Sequence, residues 1–102
     1  MVIYTVKSQP TYETIAIINI DIRFRQNQDI ATRVEKIFPF VKEVAKDIDL
    51  PCDITEDHII AAAKYGFVEL PTVMNYHLVV NKSCTKVEIK VVTFKPTLIR
   101  KQ

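Results

Sequence analysis

Period-two alternation of apolar and polar residues between Thr14 and Arg25 constrains this chain more than any other feature of its sequence. The odd positions Asn19, Asp21 and Arg23 are polar, and the even positions are apolar: Ala16, Ile18, Ile20, Ile22 and Phe24. Successive side chains of a strand point to opposite faces of a sheet. We therefore predict a strand over residues 14–25 with one buried face.

A short run of strand-forming residues, Val2 to Val6, precedes that strand. Ser8, Gln9 and Pro10 interrupt the run. Turn-forming residues between two such runs are typical of a hairpin with a loose loop. We therefore expect the chain to begin with two antiparallel strands.

Helical spacing follows between Asp29 and Asp49. Apolar residues recur there three or four positions apart: Ile30, Val34, Ile37, Phe38, Val41, Val44, Ala45 and Ile48. This spacing predicts a helix with one apolar side, which Asn27 or Asp29 can cap through a side-chain oxygen. Because the apolar stripe keeps its phase across Pro39, we expect a kink there and not a break.

A second, shorter helix is predicted from Glu56 to Tyr65. Thr55 has a side chain suited to the N-cap, and acidic residues in the first turn suit the helix dipole. Gly66 follows the last helical residue, where a left-handed conformation favours glycine.

The last predicted elements form a hairpin. One face of its first strand carries Met74, Tyr76, Leu78 and Val80, and the apolar face of its second strand carries Val87, Ile89 and Val91. Directly paired residues share a face, so even positions pair with odd ones. Pairing Val80 with Thr85 leaves a four-residue connection, Asn81 to Cys84.

These elements predict an α+β fold: a four-stranded, mainly antiparallel sheet with two helices on one face, in the order β-β-α-α-β-β. Residues 1–96 are expected to form a single domain, and residues 97–102 a short C-terminal tail that frays.

Composition excludes several classes of function. Gly66 is the only glycine, whereas loops that cradle phosphates need several. The net charge of +2 is small for a dedicated nucleic-acid-binding protein. The sequence has no 18-residue apolar run and no signal-peptide pattern, so we expect a cytoplasmic protein without membrane contact.

Cysteine and histidine offer two candidate chemistries. Cys52 and His58 lie near each other in sequence, and His77 and Cys84 share the outer face of the predicted hairpin, with His77 opposite Glu88. Neither pair supplies enough ligands for a metal ion, and no flanking motif accompanies a cysteine nucleophile. We therefore expect no metal, no cofactor and no catalytic residue, and rank a small thiol-dependent enzyme third among the functions.

Apolar side chains are also expected on the outer face of the sheet, opposite the helices. The predicted register places there Ile15, Ile17, Val73, Val79 and Val92, with Glu88 and Lys90 as a polar rim. A contiguous apolar patch usually marks an interface. We therefore predict a non-enzymatic protein–protein interaction module that binds a protein, a peptide or a second copy of itself, as a homodimer.

An exposed edge strand is a second candidate for the docking element. Met1 to Val6 carries no proline, and Lys7 is the nearest charge. Such an edge can accept an extended peptide by strand addition. The competing interpretation is that the tail folds back and Leu98 and Ile99 cover the valines of the outer face.

A small nucleic-acid-binding regulatory protein is the alternative function. A basic strip could form from Arg23, Arg25, Lys86, Arg100 and Lys101. Binding of single strands on a sheet also requires exposed aromatic rings. Because Phe24 and Tyr76 are expected to point inward, this function ranks second.

Overall fold

The computed structural model describes residues 1–70 and 75–101, except the side chains of Lys95, Thr97 and Lys101. The elements along the chain are β1 (Ile3–Asn19), α1 (Ile30–Asp47), α2 (Glu56–Tyr65), β2 (Phe67–Leu70), β3 (Asn75–Val80) and β4 (Lys86–Lys101). The strands form one antiparallel sheet in the spatial order β1-β4-β3-β2. Two helices with an antiparallel sheet confirm the α+β class, but the predicted order of elements is wrong.

The first correction concerns β1, which is one continuous strand where a hairpin was predicted. Ser8, Gln9 and Pro10 do not interrupt it, because β4 is long enough to pair with Ile3 through Asn19. Pro10 fits because β1 lies at the edge of the sheet, where a missing N–H need not remove a ladder bond.

Beyond Asn19 the predicted strand pairs with no described strand, since Asn19 already pairs with Lys86 at the start of β4. A single further backbone bond, from Ile20 N to Thr85 O at 2.8 Å, continues the contact. Ile20, Ile22 and Phe24 are nevertheless half-buried against the core, as their alternation predicts.

The caps and bounds of both helices agree closely with those predicted from the sequence. Asp29 caps α1 by accepting a hydrogen bond from Thr32 N at 2.8 Å, and the helix continues through Pro39 without a break. α2 has the predicted bounds, and Gly66 at its end has the left-handed φ of 94°.

The helices cover the inner face of the sheet. The buried residues of this core are Ile18, Val34, Ile37, Val41, Ala45, Ile54, Ile59, Ala62, Ala63, Leu70, Tyr76, Leu78, Val80, Cys84, Val87 and Ile89. Neither described helix is long and apolar enough to span a membrane.

The turn between β3 and β4 is wider than predicted, because Val80 pairs with Val87 and not with Thr85. The Asn81 side chain holds this turn by accepting hydrogen bonds from Thr85 N at 2.8 Å and from Lys86 N at 3.0 Å. A shift of two residues leaves the described side chains of β3 and β4 on their predicted faces. It does move His77, which pairs with Lys90 where Glu88 was expected.

β1 and β4 continue well past the rest of the sheet. The last pair between β3 and β4 joins Asn75 to Val92, and beyond it β1 and β4 pair only with each other. This two-stranded ribbon, residues 3–11 and 93–101, is called the arm below. It contributes to a molecule 64 Å long and 29 Å wide. The residues expected to form a frayed tail are paired in the arm as far as Lys101.

Candidate interaction surface

The outer face of the sheet is the surface that the described helices leave uncovered. Pairing places the same alternating set of residues on it from strand to strand: Tyr12, Thr14 and Ile17 from β1, Lys86, Glu88, Lys90 and Val92 from β4, Asn75, His77 and Val79 from β3, and Phe67 and Glu69 from β2. Any ligand of this face would meet these side chains first.

The apolar residues predicted for docking have different degrees of exposure. Ile17 lies on the outer face and is 55% exposed, whereas Ile15 is exposed at the irregularity between Thr14 and Ala16. Val79 is half-buried on the outer face, and Val92 is only 6% exposed. Val73 lies outside the described residues. Their part in binding stays a prediction.

The polar rim of this face is paired within the chain. Glu88 lies between two lysines, with Oε1 3.3 Å from Lys86 Nζ and Oε2 3.5 Å from Lys90 Nζ. Partly exposed ion pairs of this kind contribute little stability, about 0–1 kcal/mol. Because these pairs balance most of the charge in the middle of the face, little charge is left there to attract or repel a partner.

Aromatic rings lie on the outer face, contrary to the prediction. The His77 ring stacks on Phe67, with 5.1 Å between centroids, and contacts Tyr12 at 5.6 Å. Glu69 Oε1 lies 3.6 Å from His77 Nε2. The sequence did not reveal this cluster because Tyr12 fell in a predicted loop and Phe67 in an unpredicted strand.

The arm carries the largest set of exposed apolar side chains. Alternation along its two strands places them on one side, in continuity with the outer face. We call these side chains, together with the adjoining Tyr12, the apolar stripe: Tyr4, Val6, Pro10, Tyr12, Phe94, Pro96 and Leu98. Val6, Leu98 and Phe94 are 64%, 62% and 56% exposed.

The opposite side of the arm is mainly polar, with Thr5, Lys7, Gln9, Thr11 and Thr93. The arm is therefore amphipathic. The sequence does show the apolar side of the arm, since the even-numbered residues from Val92 to Leu98 are apolar. This pattern was missed because Pro96 suggested an end to the strand.

Two prolines restrict how the edges of the arm can be used. Pro10 pairs with Phe94, and Ser8 pairs with Pro96. A proline fits a ladder without losing a bond only where its nitrogen points away from the paired strand. Both free edges of the arm therefore lack an N–H donor near their middle, which disfavours strand addition there. The geometry favours docking through the stripe over docking through an edge.

The residues of the predicted basic strip lie in two groups, at opposite ends of β4. Arg23 and Arg25 follow β1, and Lys86 begins β4. Arg100 lies 14 residues along β4 from Lys86, roughly 46 Å at about 3.3 Å per residue. Lys101 pairs with Ile3 through its backbone position. The five residues therefore do not form one continuous strip along the sheet, and their part in nucleic-acid binding stays a prediction.

The thiols lie in environments that disfavour nucleophilic chemistry. Burial, aided by the negative charge of Asp53, raises the pKa of the Cys52 thiol. The His58 ring accepts a hydrogen bond from Thr55 N at 3.2 Å through Nδ1, which is a helix-capping role.

Cys84 departs from its predicted place. It is buried in the core at a left-handed turn position with a φ of 59°, not on the outer face with His77. Within residues 1–70 and 75–101, no three His, Cys, Asp or Glu side chains come together as a metal site.

Comparisons of the chain with protein-family models, with curated proteins and with solved structures find no match.

Proposed function

We propose that this chain is a non-enzymatic protein–protein interaction module that docks a protein partner on the apolar stripe and the adjoining outer sheet face. The observation that carries the proposal is the arm. A two-stranded ribbon is at best marginally stable in water by itself, and in this chain no further described strand or helix supports it.

The exposed side chains of the apolar stripe can supply the free energy for binding a partner. Full burial of one large apolar side chain contributes about 1.5–3 kcal/mol. Several such side chains follow one another on the same side of the arm, among them Val6, Phe94 and Leu98. A partner that covered them would stabilise the arm and gain affinity from the same contacts.

Chemistry at the cysteines supports the non-enzymatic part of the proposal. A nucleophilic thiol needs a lowered pKa and a nearby base. The pKa of Cys52 is raised, and His58 is engaged in capping α2.

The experiment compares two lysine substitutions on the same strand of the arm. Leu98→Lys places a charge on the stripe, and Thr93→Lys places one on the polar side. Association is measured by light scattering for self-association and by quantitative affinity capture for other partners. We expect the wild type and Thr93→Lys to associate and Leu98→Lys to lose association, with the free energy of unfolding of the dissociated monomer unchanged in all three. A wild type that neither self-associates nor captures any Leu98-dependent partner contradicts the proposal.

A single-stranded nucleic-acid-binding protein is the second candidate, favoured by the cluster of Tyr12, Phe67 and His77 beside Lys90. Bases stack on such rings, and a cation nearby attracts the backbone. Glu69 and Glu88 lie on the same face and oppose binding of a polyanion. Titration of fluorescent oligonucleotides by anisotropy distinguishes this candidate from the first.

A further inference from the structure

We propose that the occupant of the apolar stripe is a second copy of this chain, packed face to face with its arm reversed about a two-fold axis near Phe94. This inference rests on the proposed function and names the partner. It commits to a homodimer joined through the stripes and outer faces, not through strand edges.

The area of the stripe suits a stable dimer. Each exposed aromatic side chain can bury a large part of its roughly 150–250 Å². Together with Val6, Leu98 and the prolines, the stripe and Ile17 offer an area on the order of 800 Å² per copy, which is the size of a standard interface. Because the arm is marginally stable without a partner, a partner that is always present is favoured, and a second copy of the chain meets this condition. Two-fold symmetric dimers are also the commonest soluble oligomers.

Reversing the second copy about an axis at Phe94 places the arm of each copy over the outer sheet face of the other. Along β4, Phe94 lies six residues from both Glu88 and Arg100, so the end of one arm reaches the sheet of the other copy. Arg100 then lies over Glu88 of the second copy, a carboxylate that Lys86 and Lys90 of that copy already flank. Pro96 lies over Val92 of the second copy. Along β1, Tyr4 reaches the exposed Ile17 of the second copy.

The unreversed arrangement is less favourable. With parallel arms and the two-fold axis along β4, each residue of β4 would face its own copy, and Arg100 would lie against Arg100. Like charges placed opposite each other in an interface are repulsive. Sheets packed face to face lie about 10 Å apart with strands within about 30° of alignment, which both arrangements allow, so charge decides between them.

Cysteine cross-linking of the full chain tests the symmetry. In a Cys52→Ser background, Phe94→Cys, Leu98→Cys and Thr93→Cys are each treated with a short bifunctional thiol reagent that spans about 10 Å, the spacing of face-packed sheets, and dimers are quantified on a denaturing gel. Two copies of residue 94 lie beside the proposed axis and are expected to cross-link. Residue 98 lies far from its own copy in the reversed arrangement, and residue 93 is on the polar side of the arm, so neither is expected to cross-link.

Each outcome decides the inference. A wild-type dimer with cross-linking at 94 alone supports it, as does a dissociation constant raised about 100-fold by Leu98→Lys, since the new charge would lie against Lys90 of the second copy, a like charge in the interface. Cross-linking at 98 as efficient as at 94 overturns the reversed orientation, and cross-linking at 93 overturns the choice of face. A monomeric wild type overturns the homodimer. In that last case the proposed function survives only if another protein binds in a Leu98-dependent manner.

Discussion

His77 lies with its ring on Phe67, with an angle of 18° between the two planes. The contact joins β3 to β2 across the outer face, and Glu69 lies 3.6 Å from the same histidine. The rings are therefore partly occupied with each other and accompanied by a carboxylate. Both features reduce the capacity of this cluster to stack bases.

The first prediction concerns nucleic acid. We expect fluorescent single-stranded DNA and RNA to bind no more tightly than about 10⁻⁴–10⁻⁶ M, the range of non-specific binding at physiological salt. Phe67→Ala should leave that affinity unchanged, with Phe40→Ala, an exposed aromatic residue on α1, as the matched control. Tight binding that Phe67→Ala weakens tenfold or more would establish the nucleic-acid function instead.

The second prediction concerns the β3–β4 turn. Asn81 accepts two backbone hydrogen bonds through its side chain and donates one to Thr85 Oγ1 at 3.0 Å. We expect Asn81→Ala to lower the free energy of unfolding by about 1–3 kcal/mol, because donors of the turn lose their partner. Lys82→Ala, at the next and exposed position, should change it by less than about 0.5 kcal/mol. Equal effects in urea unfolding would show that the side-chain bonds do not hold the turn.

Local patterns predicted the local structure well. The alternation of Tyr76, Leu78 and Val80 identified the inner face, and the residues around Thr55 and Gly66 identified both ends of α2. These features depend on contacts within a few residues, or on a periodicity that only one face can satisfy. A register error of two residues could not disturb them.

Long-range pairing accounts for the errors. Pro10 and Pro96 are turn-forming residues by local preference, yet each occupies a paired strand because the other strand continues beside it. That pairing joins residues more than 80 positions apart, which no local pattern reveals. The arm and its apolar stripe were therefore missed, together with the aromatic cluster that depends on Tyr12 and on β2.

The third prediction concerns thiol reactivity and pH. Burial raises the pKa of both Cys52 and Cys84, so less thiolate is present at a given alkaline pH than in an ordinary thiol. We expect Cys52, the more accessible of the two, to react with a disulfide reagent more slowly than a free cysteine at pH 8. Its rate should rise with pH to a midpoint above about 8.5, the ordinary thiol value.

The same shifts set the direction of a stability change. Above the ordinary thiol pKa the unfolded chain releases protons that the folded chain retains, so stability should fall as pH rises through that region. Replacing Cys84 by Ala should reduce this dependence, whereas Gln26→Ala, an exposed substitution that removes no titratable group, should not. A rate midpoint for Cys52 below neutral pH would contradict the raised pKa and would favour a thiol enzyme.

The last prediction separates interface from core with two adjacent residues of β3. Val79 is half-buried on the outer face beside Phe67 and Glu88, whereas Val80 is 2% exposed on the inner face. Val79→Lys should weaken association at least tenfold but change the free energy of unfolding of the monomer by no more than about 1 kcal/mol, since the lysine stem can lie along the sheet and its ammonium can reach water. Val80→Lys should unfold the chain or cost more than about 4 kcal/mol, because its charge has no route to solvent. Urea unfolding and light scattering on both variants provide the comparison. If Val79→Lys unfolds the chain, the outer face is part of the core. If neither association nor stability changes, the outer face is an ordinary exposed surface.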